Sequence, residues 1–371
     1  MTNQAVIYQR HKSADGHHII QATLNSERSL NALNQDMIDS LLPAIEQWQQ
    51  DDSVVAIVLD SAGDKAFCAG GDVVELHRAM AEAPGTRQPF VQEYFSKEYE
   101  LDYKIHAFSK PVILWGNGFV MGGGLGLMAG ASHRIVTENS KIAMPEITIG
   151  LYPDVGATYF LSRMPQRLGL FLGLTAAQMN AADSLEVNLA DFYLAHQQKN
   201  TLIAQLAQAN WSQSSDHHQL INQLISELKP TTPMPVGNIE AHRSVLKELL
   251  APAALEDVVE AILAMDSDDK WLNKAKRTLA HGSALSAKIL ERQLIVGQQL
   301  SLLDCFKLEL AMSVHCGEIG EVTEGIRALL VDKDNNPNWQ FKSLDEVEPS
   351  LIDRIFTPIW DEDNHPLRAL T

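Results

Sequence analysis

"PVILWGNGFVMGGGLGLMAGA", residues 111–131, decides how the chain is read. Its opening run of Val112, Ile113, Leu114 and Trp115 is short and wholly apolar, which suits a strand buried on both faces. It passes through a glycine cluster into small residues that open a closely packed helix. A buried strand leading through glycine into a helix is the building block of an α/β layered core.

The same grammar recurs on either side. "HHIIQATLN" (17–25) alternates and then turns apolar, and "SVVAIVLDSA" (53–62) is a β-branched run, so both read as strands. Between them "NQDMIDSLLPAIEQWQQ" (34–50) reads as a helix. Asn34 is its N-cap, Asp36 sits in its first turn, and Met37, Leu41, Ile45 and Trp48 share one face. Strands and helices alternate to about residue 200, and beyond that point the spacing is helical. "KPTTPMPVGN" (229–238) interrupts it with three prolines that no helix tolerates, marking a hinge or linker. The expected organisation is a core over residues 1–200 that holds the active site, followed by a helical region over 201–371.

The 371 residues are 45% hydrophobic, enough for a sizeable core, and carry a formal charge of −18. That balance argues against nucleic acid or an anionic membrane as partner, because both require clustered cations. No stretch approaches the ~20 apolar residues of a membrane span. Cys68, Cys305 and Cys316 lack the spacing of a disulfide framework or zinc site, which fits a reducing compartment. The opening residues "MTNQAVIYQRHKSADG" lack the apolar centre of a secretory signal, and the expected location is the cytoplasm.

Several chemical motifs fail on inspection. Counting G-x-G-x-x-G from Gly122 requires glycine where Leu127 stands, and no GK[ST] follows for a phosphate loop. "DKDNNP" (332–337) resembles half of a calcium loop, but Pro337 replaces its glycine.

Two glycine clusters remain, "AFCAGGD" (66–72) and "MGGGLG" (121–126), each after a predicted buried strand. Two backbone amides from such loops, Gly71 and Gly123, can bracket one oxygen as an oxyanion hole, although tight turns and close helix packing also use glycine. In "AMPEITIGLYPDVGATY" (143–159), Glu146 and Asp154 each follow a proline in an otherwise apolar segment. They read either as site residues at strand ends or as a salt-bridged acid and a helix cap. In "PFVQEYFSKEYELDYKIHAF" (89–108), Glu98 interrupts the stripe of Tyr94, Leu101 and Ile105. It is either functional or at the stripe's edge, reaching solvent.

Together "AFCAGGD", "GNGFVMGGGLGL", "AMPEITIGLYPDVG" and "EVTEGIRALLVDKDNNPNW" resemble the enoyl-coenzyme A hydratase/isomerase (crotonase) superfamily, and within it its 3-hydroxyisobutyryl-coenzyme A hydrolase branch. The resemblance implies an α/β fold, a spiral of ββα units with a helical C-terminal region. It implies that the amides of Gly71 and Gly123 hold the thioester carbonyl oxygen, and that Arg28 and Lys333 lie near the coenzyme A nucleotide. Hydratases of this superfamily use two glutamates, and here the first of those positions is Gly126, leaving only Glu146. The hydrolase pattern instead pairs Glu146 with Asp154 and adds Glu98 as a substrate contact.

The expected activity is therefore hydrolysis of a 3-hydroxyacyl-coenzyme A thioester, with no metal or redox cofactor and with coenzyme A entering as part of the substrate. The superfamily often forms homo-oligomers through its C-terminal helices, and the helical stretch 238–280 is placed to mask that surface. An isomerase using Glu146 alone and a non-catalytic acyl-coenzyme A binder are the competing readings. The isomerase would find Asp154 superfluous.

Overall fold

The computed structural model describes residues 4–371. Through the first third of the chain the order is β1 (Val6–Lys12), β2 (His18–Leu24), α1 (Gln35–Gln50), β3 (Val54–Ser61), β4 (Ala66–Cys68), α2 (Val73–Glu82) and α3 (Pro89–His106). Next come β5 (Val112–Gly116), β6 (Phe119–Met121), α4 (Gly123–Gly130), β7 (His133–Val136) and β8 (Lys141–Ala143). After α5 (Ala157–Phe160) and α6 (Leu168–Thr175) there is one more strand, β9 (Phe192–Tyr193), and from there the regular elements are helical.

The compact units do not follow the expected division into 1–200 and 201–371. The chain forms two, each gathered from three segments: Met1–Gly71, Leu101–Ile142 and Met179–Glu240 in the first, and Asp72–Glu100, Ala143–Gln178 and Ala241–Thr371 in the second. The break near residue 200 marks where strands end, and chain order does not keep the two units apart.

The first unit is built on a six-stranded sheet in the order β1-β2-β3-β5-β7-β9. β1 pairs antiparallel with β2, and each later pairing is parallel. Strand β3 is buried along its whole length, as a β-branched run in a parallel sheet covered on both faces must be. A core of Val55, Val58, Ile113, Trp115 and Ile135 from the strands packs with Leu202, Leu206, Trp211 and Ile221 from the helical stretch that follows β9. Asp60 is fully buried at the edge of this core and is satisfied by Lys199 Nζ at 2.8 Å, Gln21 Nε2 at 2.9 Å and Thr23 Oγ1 at 2.6 Å. Asn34 caps α1 by accepting the Met37 N–H, as its position predicts.

The proline-rich stretch breaks the helices as expected, but it is pinned. Tyr193 donates its hydroxyl to the carbonyls of Thr232 and Pro233, Gln198 donates to Lys229 O, and Asn180 donates to Val236 O. Side chains supply the partners that a prolyl backbone cannot find in a helix.

A second, three-stranded sheet in the first unit, β4-β6-β8, carries both glycine loops. In the parallel pair β4/β6, Ala66 and Cys68 lie opposite Phe119 and Val120, so the chain leaves both strands from the same end. Gly118 makes this approach achievable. Its φ of +67° is in the left-handed region, and a Cβ there would lie 2.1 Å from the Lys65 carbonyl oxygen.

The second unit is largely helical. Its interior holds an aromatic run of Tyr94, Phe95, Tyr99 and Phe306 with ring centroids 5.6–6.0 Å apart. Among the described residues no helix is long and apolar enough to cross a membrane, and no cluster of His, Cys, Asp and Glu has metal-binding geometry.

Gly118→Ala is expected to cost on the order of 3 kcal/mol, because it adds both a strained φ and a backbone clash. Urea denaturation monitored by circular dichroism checks this; an unchanged midpoint would show that β4 and β6 do not need this close approach.

Candidate active site

In the first unit, the two sequence-predicted amides sit at the ends of adjacent strands. Gly71 follows β4 and forms an isolated parallel bridge with Leu33, while Leu33 N–H donates to Gly70 O at 2.8 Å. Gly123 is the first residue of α4, where a backbone N–H has no acceptor within the helix. The preceding Gly122 adopts φ 45° and ψ −123°, a conformation that turns the chain from β6 into α4. Gly124 touches the β4 backbone so closely that a Cβ would stand 2.5 Å from Cys68 O. The close-packing reading therefore holds for Gly124 and Gly118. Gly126 is buried in α4, which contributes no carboxyl group.

In the second unit, Glu98, Glu146 and Asp154 are all buried, at 2%, 4% and 4% exposure. Glu98 does not reach solvent from the edge of its helix, and among the described residues neither Glu146 nor Asp154 forms a salt bridge. Asp154 does not cap the next helix with its side chain: its backbone carbonyl accepts from Ala157 N–H, and its Oδ2 accepts from the Tyr99 hydroxyl at 2.7 Å. Glu146 opens a turn of 3-10 helix, and its Oε2 is buried with no hydrogen-bond partner among the described residues.

A carboxyl removed from water resists ionisation. Burial first, and then the charge on Asp154, push Glu98 and Glu146 well above the usual carboxylate range. Burial lifts Asp154 to about 6, with the Tyr99 hydroxyl pulling the other way.

The segment that carries Asp154 is strained. Val155 is a β-branched residue at φ 52°, a region such residues avoid, and Gly156 follows at φ 89°. Glu309 over-determines this turn by accepting Gly156 N–H at 2.7 Å and Thr158 N–H at 2.8 Å. Gln293 adds bonds to Pro153 O at 2.5 Å and Thr158 Oγ1 at 2.8 Å. Tyr99 also contacts Ser313 Oγ at 2.7 Å, and Ser313 in turn contacts the Tyr152 hydroxyl at 2.8 Å.

Tyr99, Tyr152, Gln293, Glu309 and Ser313 are absent from the sequence-derived site. Glu309 had a signal comparable to that of Glu98, an acid on the apolar face of a predicted helix, with Ser313 four positions on and therefore on the same face. The two predicted basic residues are exposed. Arg28 lies in a short 3-10 turn of the first unit, and Lys333 in a left-handed turn of the second at φ 58°.

A family model for enoyl-CoA hydratase/isomerase matches residues 19–356, and the chain belongs to that family. Within it, the chain is 35% identical over 341 residues to the mitochondrial 3-hydroxyisobutyryl-CoA hydrolase of Danio rerio, covering 92% of this chain and 87% of that protein. It is 32% identical over the same length and coverage to the mitochondrial 3-hydroxyisobutyryl-CoA hydrolase of Gallus gallus. Among solved structures it is similar to a carnitinyl-CoA dehydratase from Mycobacterium thermoresistibile, with a TM-score of 0.84, 29% identity and 99% of each chain covered. The expected α/β fold with a helical C-terminal region is borne out.

The expected cytoplasmic location is not. The Danio rerio and Gallus gallus relatives are described as mitochondrial, which overturns it. The inference rested on the cysteines and on opening residues without the apolar centre of a secretory signal; all three cysteines are buried and outside any disulfide, but reduced thiols report a redox environment rather than an address.

Glu309 supplies a pH test. Burial raises its carboxyl to about 8, so the folded chain keeps a proton that the unfolded chain releases near the ordinary glutamate value of 4.5. Its stabilising contribution is complete below about 4.5 and is lost as the pH rises through about 8, at up to ~1.4 kcal/mol per pH unit. Denaturation curves of Glu309→Gln should therefore vary less than wild type over that range; parallel pH dependences would rule out a titrating Glu309.

Proposed function

We propose that this chain hydrolyses 3-hydroxyisobutyryl-coenzyme A to 3-hydroxyisobutyrate and coenzyme A. The observation that carries the reading is Glu146, a buried carboxyl with one oxygen lacking any hydrogen-bond partner, flanked by two further buried acids. An unsatisfied carboxyl in a dry interior is costly, and it persists where a reacting partner supplies the missing contact. The hydrolase relatives support the choice of substrate.

The amides of Gly71 and Gly123 hold the thioester carbonyl oxygen, an interaction that strengthens as charge develops there; losing one such donor typically costs ~10²–10³ in rate. Glu146, once ionised, attacks the carbonyl carbon or takes a proton from water. Its raised affinity for protons makes the anion a stronger base than an exposed carboxylate. Glu98 and Asp154 remain to receive the 3-hydroxyl and to exchange protons with the reacting groups. Arg28 and Lys333 meet the anionic nucleotide end of coenzyme A. Protein groups and water suffice for this route, and coenzyme A takes part only as the substrate's leaving group. Hydration of a double bond is disfavoured because Gly126 leaves α4 without the second acid.

Glu146→Gln should lower thiol release from 3-hydroxyisobutyryl-coenzyme A by ~10²–10⁴-fold while leaving thioester binding intact, a difference that stopped-flow and equilibrium titration separate. Survival of full activity would remove Glu146 from the mechanism. In the same thiol-release assay isobutyryl-coenzyme A should be turned over at least ~10²-fold less efficiently, because buried acids that pair the hydroxyl are left unsatisfied without it. Equal turnover of the two thioesters would eliminate hydroxyl recognition by Glu98 or Asp154.

A further inference from the structure

The turn that carries Glu146 is too short to fix itself. Residues Glu146–Ile149 form a single turn of 3-10 helix, closed by Thr148 N–H on Pro145 O at 2.9 Å and by Leu151 N–H on Glu146 O at 3.1 Å. A lone turn fixes several backbone dihedrals for few hydrogen bonds and is unstable alone. The Glu146 carboxyl adds no anchor through Oε2, which has no hydrogen-bond partner among the described residues. Its aim therefore depends on what grips the backbone that carries it.

Two glycines from separate parts of the second unit pack against this turn. A Cβ on Gly282 would stand 2.8 Å from Ile147 Cγ1, and a Cβ on Gly325 would stand 2.3 Å from the Ile149 carbonyl carbon. Neither approach admits a side chain without a shift. Gly282 lies at the junction of the helices Lys270–His281 and Ala284–Gly297, and Gly325 lies on the helix Glu321–Ile326. Beside Gly282, Ser283 N–H donates to Ile147 O at 3.0 Å and pins the junction to the turn.

One buried pair joins these two segments. The Ser283 hydroxyl caps its own helix by accepting Ser286 N–H at 3.2 Å and donates to Glu321 Oε2. Glu321 Oε1 accepts Gln340 N–H at 2.6 Å and Phe341 N–H at 3.2 Å. Both Ser283 and Glu321 are buried. A carboxylate that receives three donors in a dry interior is held in one place.

We propose that Ser283 and Glu321 are positioning residues for the hydrolysis: their hydrogen bond ties together the two segments that pack on the Glu146 turn, and so fixes the direction in which the Glu146 carboxyl points. This rests on the hydrolytic reading above and holds for either role of Glu146. Attack on a carbonyl carbon and removal of a proton from water both require a near-attack placement, from which a displacement of about 1 Å can cost ~10² in rate.

The test separates aim from stability. Ser283→Gly removes the hydroxyl but keeps a residue that helix N-caps accept, and Glu321→Ala removes the carboxylate. Each should lower kcat for thiol release from 3-hydroxyisobutyryl-coenzyme A by ~10–10²-fold and leave the Kd of the thioester within ~3-fold of wild type. Glu321→Gln should recover most of the loss, because its Oε1 can accept the two N–H groups while its amide donates to Ser283 Oγ. The decisive comparison repeats Ser283→Gly and Glu321→Ala in the Glu146→Gln background. Residues that act only through the Glu146 carboxyl should change the residual rate there by less than ~2-fold. Equal losses in the two backgrounds mark a merely structural role and overturn the proposal, as does full thiol release by either variant. Circular dichroism identifies the folded variants, and one that folds is enough for the comparison. A wild type that releases no thiol overturns the hydrolytic reading itself, whereas an active wild type with losses independent of Glu146 overturns the positioning role alone.

Discussion

Four carboxyl groups, Glu98, Glu146, Asp154 and Glu309, are buried in one unit without a cation paired to any of them among the described residues. Burial of ionisable groups without a counter-charge is costly enough that the surroundings must either neutralise them or satisfy them by hydrogen bonds. The second unit does both, and much of its local structure follows from the way it does so.

Glu309 is satisfied completely, by two backbone N–H groups that would otherwise be unpaired at the start of α5. That makes it a clamp on the left-handed turn at Val155 and Gly156, and the clamp offsets strain that the turn by itself would release. Asp154, just before the clamp, is satisfied by a hydroxyl chain. Glu146, eight residues earlier, keeps one oxygen without a partner. The gradient from satisfied to unsatisfied runs toward Glu146, the acid proposed above to react. Neighbouring carboxyls of one sequence segment and one helix are therefore satisfied to different degrees.

Much of the candidate site was legible in the residues. Glu98 announced itself by breaking an apolar stripe, and Glu146 and Asp154 by standing after prolines in an apolar run. The amides of Gly71 and Gly123 followed from glycine at predicted strand ends. Tyr99, Tyr152 and Ser313 gave no comparable sign, because a tyrosine or serine on a buried helix face is ordinary. Their importance depends on partners 55, 161 and 214 positions away in the chain. The make-up of each unit from three separate chain segments was equally hidden. Periodicity reports the type of an element and the face it buries, whereas the neighbour an element packs on depends on chain connections that carry no periodic signal.

The amino-acid sequence alone determined the strands, the helix faces, the breaks at proline and the identity of the three acids, since each is a local matter of spacing, branching and backbone freedom. The compartment lay beyond composition, and the relatives corrected it. Only the tertiary structure decided that Asp154 meets a tyrosine instead of capping a helix, that Glu309 holds the strained turn, and that one oxygen of Glu146 is left without a partner. Hydrogen-bond satisfaction is a property of groups brought together across long stretches of chain, and no local pattern encodes how fully a given buried acid will be satisfied.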